Sequence, residues 1–479
     1  MEQIILLLFM LCGYIVAYAF VPNVVDINTL AILLIGMGVS LLIFFSKPET
    51  NKNLKNQKIR ASYIFVIGFL IVNFQAYIDL IFEKVSINDI DLWVDITIIN
   101  ESAIISSVGL LSFLLGYSVK RIIPFPERNF KIYCYPTKFL KLLSLFFLVL
   151  YFYFVNPAYL KGGYALFDMG ASAKYLALAF NASIFAIYVQ ESRNIINNKI
   201  KIKNFYDFIK HVGLLSFLLV TIYLISVLLS GDRGPIITYS MLIFGSYLFI
   251  NKPKYSSLTI IIYSVSIALV LTLLGFARKM ITEDSLVEKL KLGVNAFNDN
   301  ASSSIFPMTK ELSGSVNTVH YVVSYIHKNH DYFYGMFQIR QLIDAIPFSG
   351  TIFGRLGLIN YNNTKYNGIA EFITWIAQGD NSTYGNGASI VADFYLGFGI
   401  LGVFLGMLFF GYFMRVVDEK MYGKSSISTV WLTIALVYFS NAIYISRSFV
   451  LEGTKAIVMI LFLLLLNNLL LGKIYRFKR

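Results

Sequence analysis

The feature that most constrains this chain is a recurring apolar run, roughly 17 to 22 residues long, enough to cross about 30 Å of hydrocarbon as a helix. Such runs centre near Cys12, Val39, Leu70, Gly109, Phe147, Phe180, Val220, Met241, Val265, Gly402, Leu436 and Leu463. They follow one another too evenly for soluble cores joined by polar linkers. With 57% hydrophobic and 14% charged residues, and a mean hydropathy of +0.68, the solvent for most of the chain is lipid. No water reaches a bilayer core, so backbone groups there must be satisfied internally. The runs do not alternate with polar residues as barrel strands do, so they are expected to be helices. The expected fold class is all-α, a polytopic integral membrane protein of about 12 transmembrane helices.

The net charge of +13 raises nucleic acid as a partner, and the distribution of that charge argues against it. Segments near 47–61, 120–138, 191–210, 251–257, 415–427 and 473–479 hold 5, 5, 5, 2, 3 and 4 lysines and arginines. The short loops between them hold only Lys84, Lys161, Lys174, Arg233 and Arg447. This is the positive-inside pattern, which places both termini in the cytoplasm and leaves no surplus basic patch for a polyanion. Cys12 and Cys134 are the only cysteines and fall in a span and a cytoplasmic loop, so no disulfide framework is expected. The run Ile4–Phe20 lacks a basic leader and a small-residue cleavage site before Val21 and Pro22; it is expected to be a retained first helix.

These readings divide the chain into residues 1–276 with nine spans, a large extracytoplasmic loop over 277–387, and residues 388–479 with three spans. The loop breaks the local charge bias, carrying Arg278, Lys279, Lys310, Arg340, Arg355 and other cations outside. Val316, Val319, Val322, Val323 and Ile326 recur at helical spacing, and a second helix is expected over 332–346, before Pro347. The loop is therefore expected to be folded.

Several residues qualify for chemistry. The turn Ser230-Gly-Asp-Arg-Gly-Pro235 offers Arg233, a planar fork of donors matched to phosphate, with Asp232 beside it. Its plain alternative is a turn in which the two pair with each other or with headgroups. Arg278 and Lys279, at the exit of the ninth span, stand at similar depth on the same side, where ordinary snorkelling competes with anion binding. Arg340 and Arg355 lie deeper in the loop; salt bridges to Asp331, Asp344 or Glu371 compete with substrate contact. His320, His327 and His330 share one stretch, but no HExxH pattern or cysteine pair accompanies them, so no metal and no cofactor is assigned and His320 stands as a candidate base. Asp393, in the glycine-rich run from Gly385 to Gly402, is a carboxylate in a membrane helix, which needs a partner or a task. A neighbouring arginine is its plain partner. Asn73, Gln75 and Asp79 in the third span are weaker candidates.

With its many spans, long late outer loop, Ser-Gly-Asp-Arg-Gly turn and the Gly387–Gly402 run, the chain resembles the bacterial Wzy-type oligosaccharide repeat-unit polymerases of O-antigen and capsule synthesis. The resemblance implies a GT-C-like membrane glycosyltransferase at the outer face of the bacterial cytoplasmic membrane. It would move a growing glycan from undecaprenyl diphosphate onto the next lipid-linked repeat, among membrane lipids, with a flippase and a chain-length regulator as partners. Diphosphate departure needs cations, for which Arg233, Arg278, Lys279, Arg340 and Arg355 are the candidates, with Asp393 beside them as a substrate-binding residue. Proton transfer needs a base, for which His320, Asp232 and Glu371 are the candidates. Two positions depart from the family pattern: Arg340 is followed by Gly350 after nine residues where relatives have ten, and Asp393 stands where glutamate is frequent. A lipid-linked oligosaccharide flippase and a glycan ligase are the competing readings; the first commonly shows internal symmetry and short outer loops, which this chain lacks.

Overall fold

The computed structural model describes residues 2–46, 49, 51, 53–55, 57–119, 136–160, 169–253, 255–256, 258–259, 294–295, 303–346, 349–356, 364–423 and 427–476. Among them every regular element is helical. Helices α1 (Glu2–Ala19), α2 (Ile27–Ser46), α3 (Ala61–Ile81), α4 (Ile99–Ser118), α5 (Lys138–Phe154) and α6 (Ala171–Asn197) come first, followed by α7 (Phe205–Val212), α8 (Leu214–Ser230) and α9 (Gly234–Asn251). The late loop contributes α10 (Asn317–Asn329), α11 (Met336–Asp344) and α12 (Ile369–Gln378), and the chain closes with α13 (Ile390–Tyr422), α14 (Thr429–Asn441) and α15 (Thr454–Arg476). Seven described helices are long and apolar enough to cross a membrane, eight if the bent pair α7–α8 is one span, with shorter apolar helices over Thr429–Asn441 and Thr454–Leu470. A helix occupies every expected span except the ninth, near Val265, which lies outside the described residues. The protein is an all-α polytopic membrane protein.

Its axis is the pair α4 and α13. Every residue of α4 from Ile99 to Tyr117 is buried, so this helix meets other helices on all sides. The hydroxyls of Ser107 and Ser112 donate to the carbonyls of Ala103 and Val108, at 2.8 and 2.7 Å, and so need no outside partner. Glycine lets the two backbones touch: a Cβ on Gly116 would stand 2.0 Å from the Leu408 carbonyl oxygen, and one on Gly411 2.1 Å from that of Phe113. Outer helices show the opposite pattern. Phe9, Leu42 and Leu142 are largely exposed, as lipid-facing side chains are.

Two spans are interrupted. Between α7 and α8 the axis turns by 98° at Gly213, whose φ of +110° favours glycine. In α13 the interruption falls at Phe398 and Gly399, the latter at φ +62° and ψ −150°, a region closed to residues with a Cβ. A broken helix leaves carbonyls that need donors. The N–H groups of Phe333 and Tyr334 supply them, donating to the carbonyls of Leu396 and Gly397 at 3.0 and 2.9 Å. This corrects the helix expected over 332–346: residues before Gly335 pair with the interrupted span, and α11 starts only at Met336. The valine-rich expectation upstream corresponds to α10.

Alternate loops gather at opposite ends of the bundle. At one end Arg415 bonds Glu49 twice, at 2.5 and 2.9 Å, and Glu419 at 2.7 Å, while Arg60 reaches Glu49 at 3.2 Å. Asp418, fully buried, accepts from the Ala61 N–H at 3.0 Å, the Ser62 hydroxyl at 2.5 Å and the Tyr117 hydroxyl at 3.0 Å. Lys252 donates to the carbonyls of Tyr422 and Gly423. These are the loops that the charge pattern assigns to the cytoplasm. At the other end Asn100 donates to the Val24 carbonyl at 2.9 Å and His327 meets Glu101 at 3.1 Å. Gln75 donates to Ser304 at 3.1 Å and to the Phe306 carbonyl at 2.9 Å, and Asp79 accepts from Ser304 and the Ile305 N–H. Gln75 and Asp79 thus anchor the late loop on α3.

Burial raises the Glu49 carboxyl, but the Arg415 hydrogen bond, the Asn51 N–H and the two guanidinium charges outweigh it and bring its pKa to about 2 from 4.5. A carboxyl depressed on folding adds stability above its unfolded pKa and loses it as pH falls. Thermal stability of the detergent-solubilised protein is therefore expected to drop between about pH 4.5 and 2, and Glu49→Gln is expected to flatten that drop while lowering stability at neutral pH. An unchanged acid profile in the variant contradicts the assignment.

Candidate functional site

At the end opposite the Glu49–Arg415 network, three segments converge. Gly231, at φ +89°, closes α8, and Asp232 accepts the Gly234 N–H at 3.0 Å, with Pro235 in the first turn of α9. This geometry starts a helix and turns Arg233 outward, where its guanidinium pairs with Glu311 on the one-turn helix Lys310–Ser313. The third segment is the loop 442–453 between α14 and α15. Its Tyr444 lies within electrostatic reach of Arg233, Asp232, Arg447 and Glu311, and Thr238 of α9 donates to Asn441 at 3.4 Å at the loop's root. Two guanidiniums, a phenol and two carboxylates from separate parts of the chain therefore share one site.

The same loop reaches a second group. The Val450 N–H donates to Asp393 at 3.3 Å. Asp393, buried in the first turn of α13, also accepts from Gln338 at 2.8 Å and Gln341 at 3.4 Å. Among the described residues its carboxylate partners are two amides and a backbone N–H, in place of the neighbouring arginine expected from sequence. Two residues further on, Glu452 accepts the Ser448 hydroxyl at 2.5 Å. The Glu452 side chain is exposed, with protein crowded around it. Burial pushes its carboxyl up, the Ser448 hydrogen bond works against this, and the Glu371 carboxylate pushes it up further. Glu371 is exposed in the first turn of α12, three residues after Gly368, and Arg340 is buried with a 2.8 Å bond to Asn367.

The structure does not bring every sequence candidate to this end in the same way. His320 has no accessible surface: its Nε2 meets the Tyr77 hydroxyl at 2.8 Å, its Nδ1 the Trp93 carbonyl at 2.9 Å, and the Tyr77 ring stacks on it while the Trp93 ring lies tilted against it. Burial lowers its pKa to about 4, so at neutral pH it is an uncharged pin between α3, the 82–98 loop and α10. His327 pairs with Glu101, His330 closes α10 at φ +57°, and the three histidines serve separate contacts. Arg355 is exposed at the end of the short helix Ser349–Arg355, and no contact among the described residues joins it to either group. Arg278 and Lys279 lie outside the described residues.

Sequence reading missed Arg447, Glu452, Glu311 and the two glutamines. For Arg447 a signal existed: it is one of five cations in loops that the charge bias keeps nearly free of them. The two groups, linked by one twelve-residue loop, can hold an anion through guanidiniums and take a proton on a carboxylate.

No curated protein and no solved structure matches the chain. The family model for the O-antigen polysaccharide polymerase Wzy matches residues 2–479, which is essentially the whole sequence. The chain therefore belongs to the O-antigen polysaccharide polymerase Wzy family, integral membrane proteins that polymerise O-antigen repeat units by glycosyl transfer.

Proposed function

We propose that this polymerase joins undecaprenyl-diphosphate-linked repeat units into O-antigen or capsular polysaccharide at the outer face of the bacterial cytoplasmic membrane. In this reading both termini are cytoplasmic and residues 277–387 form an extracytoplasmic loop over the first nine spans and the last three. The observation that carries it is the Arg233–Glu311 ion pair, with Tyr444 and Arg447 within electrostatic reach, at the end away from the cation-rich loops. A diphosphate leaving group develops charge as the anomeric C–O bond breaks, and guanidiniums stabilise that charge with bidentate bonds. Each charge-assisted bond contributes about 1.5 to 3 kcal/mol. Arg278 and Lys279 join this cation set on sequence grounds. Arg340, Arg355 and Asp393 belong to the sugar side of the site.

In the reaction the acceptor hydroxyl oxygen attacks the anomeric carbon of the donor glycan, the bond to lipid diphosphate breaks with its electron pair, and a carboxylate takes the hydroxyl proton. Of the three bases considered from sequence, Glu371 has the open surface the task needs, and it faces Glu452. The Glu371 charge helps hold the Glu452 carboxyl above its ordinary range. Asp232, whose oxygen caps α9, and His320, whose ring nitrogens are both engaged, serve in this reading as positioning residues.

Cells lacking the protein are expected to make and flip the lipid-linked repeat but to display at most one unit, as resolved by gel ladders. A ladder of normal length in those cells contradicts polymerisation, and loss of flipping favours a transporter. At residue level, Arg233→Ala and Glu371→Gln are each expected to slow transfer by about 100-fold or more in proteoliposomes supplied with defined lipid-linked units. The glutamine variant is also expected to lose the acid limb of the pH–rate profile. Wild-type rates in both variants, at equal protein levels, remove these residues from the site.

A further inference from the structure

The one-turn helix that carries Glu311 also borders a cavity of about 230 Å³. That is smaller than the roughly 300 to 1,000 Å³ of drug-sized sites and leaves room for about one sugar ring. The cavity is bounded by the end of α3, the loop after it and the one-turn helix Lys310–Ser313. Lys310 lines it, and the next residue, Glu311, holds Arg233. The cavity and the cationic cluster therefore share the one-turn helix Lys310–Ser313.

The lining is amphipathic. Lys84, Ser86 and Asp89 stand exposed at the rim, whereas Ala76, Asp79 and Ser313 are buried at the floor. Asp79 already accepts the Ser304 hydroxyl on one oxygen and the Ile305 N–H on the other, at 2.7 and 2.8 Å. Each oxygen keeps a second lone pair. Ammonium donors, hydroxyls that donate and accept, and carboxylate acceptors around a small apolar patch match the edges and the face of a sugar ring. A lipid tail would leave these polar groups unsatisfied, and a compact anion would meet two carboxylates.

We propose that this cavity is a saccharide subsite, holding a sugar of the lipid-linked glycan while its diphosphate rests on the neighbouring arginines. The proposal rests on the polymerase reading above and adds to it a place for the glycan. The sugar can come from the incoming repeat unit or from the growing chain, and the chemistry of recognition is the same for both.

Gly314 provides a direct test. It lines the cavity, has an ordinary helical backbone at φ −58°, and a Cβ built on it meets nothing within 4 Å. Gly314→Phe should therefore fill the cavity without strain. The probes are lipid-free repeat-unit oligosaccharide and lipid-free polymer from the producing cells, bound to full-length protein in nanodiscs and followed by saturation-transfer NMR and calorimetry. Wild-type protein is expected to bind at least one probe, and the better ligand identifies the source of the sugar. Gly314→Phe is expected to abolish binding, and Lys84→Ala with Lys310→Ala to weaken it by about tenfold or more. Arg233→Ala is expected to keep saccharide binding while losing transfer. Failure of wild-type protein to bind either probe, or unchanged binding in both cavity variants, overturns the subsite. Retained transfer in Arg233→Ala with lost binding in the cavity variants would instead overturn the diphosphate reading and leave the subsite standing.

Discussion

The organisation of this protein depends on how it satisfies a broken membrane helix. Gly399 opens α13 within a bilayer-spanning segment, where an unpaired carbonyl costs several kcal/mol. The chain supplies Phe333 and Tyr334 N–H groups from the late loop, so the loop becomes part of the span it covers. One consequence is geometric. Docking residues 333–334 on the break sets the start of α11, which carries Gln338 and Gln341 onto Asp393. Asp393 in turn accepts from Val450, which draws in the loop bearing Arg447 and Glu452. A backbone requirement thereby assembles side chains from α11, α13 and the 442–453 loop.

The opposite end of α13 is fixed by charge. Glu49 bonds both Arg60 and Arg415, all largely buried, while Asp418 is buried on Ala61, Ser62 and Tyr117, and removing one partner from the ion-paired network leaves an uncompensated charge, at a cost of about 3 to 5 kcal/mol. Between the two ends, the glycine contacts of α4 with α13 hold the axis rigid. Rigidity suits a site whose members come from distant parts of the chain, since a displacement of about 1 Å can cost about 100-fold in rate. The Arg233 turn is tied to the same frame through Glu311 and Thr238.

Much of this was legible in the sequence, and the reasons for the rest are physical. Apolar length gave the spans because hydrocarbon thickness is a single fixed dimension, and the valine spacing gave α10 because one face of that helix is buried. The break in α13 was hidden: the same glycines that permit close packing at Gly402 and Gly411 also permit a break at Gly399, and only the donors from residues 333–334 decide between them. His320 looked available because composition does not report enclosure, and Trp93 and Tyr77 seal it from elsewhere in the chain. Arg447 and Glu452 were overlooked because their loop is short, yet a guanidinium and a carboxylate in a short loop between apolar spans are both costly there. Arg233 and Asp393 stood out because ionisable groups at a membrane boundary require partners, although the partners, Glu311 and two glutamines, lie far away in sequence.

The central claim is that the loop carrying Arg447 and Glu452 faces the cell exterior and meets a lipid diphosphate. The most direct test is a single cysteine at Ser448 in a chain whose Cys12 and Cys134 are replaced by serine, treated with a membrane-impermeant maleimide. The account predicts labelling in right-side-out vesicles and protection by undecaprenyl diphosphate. Labelling only in inside-out vesicles, or labelling that the lipid diphosphate does not slow, would contradict it.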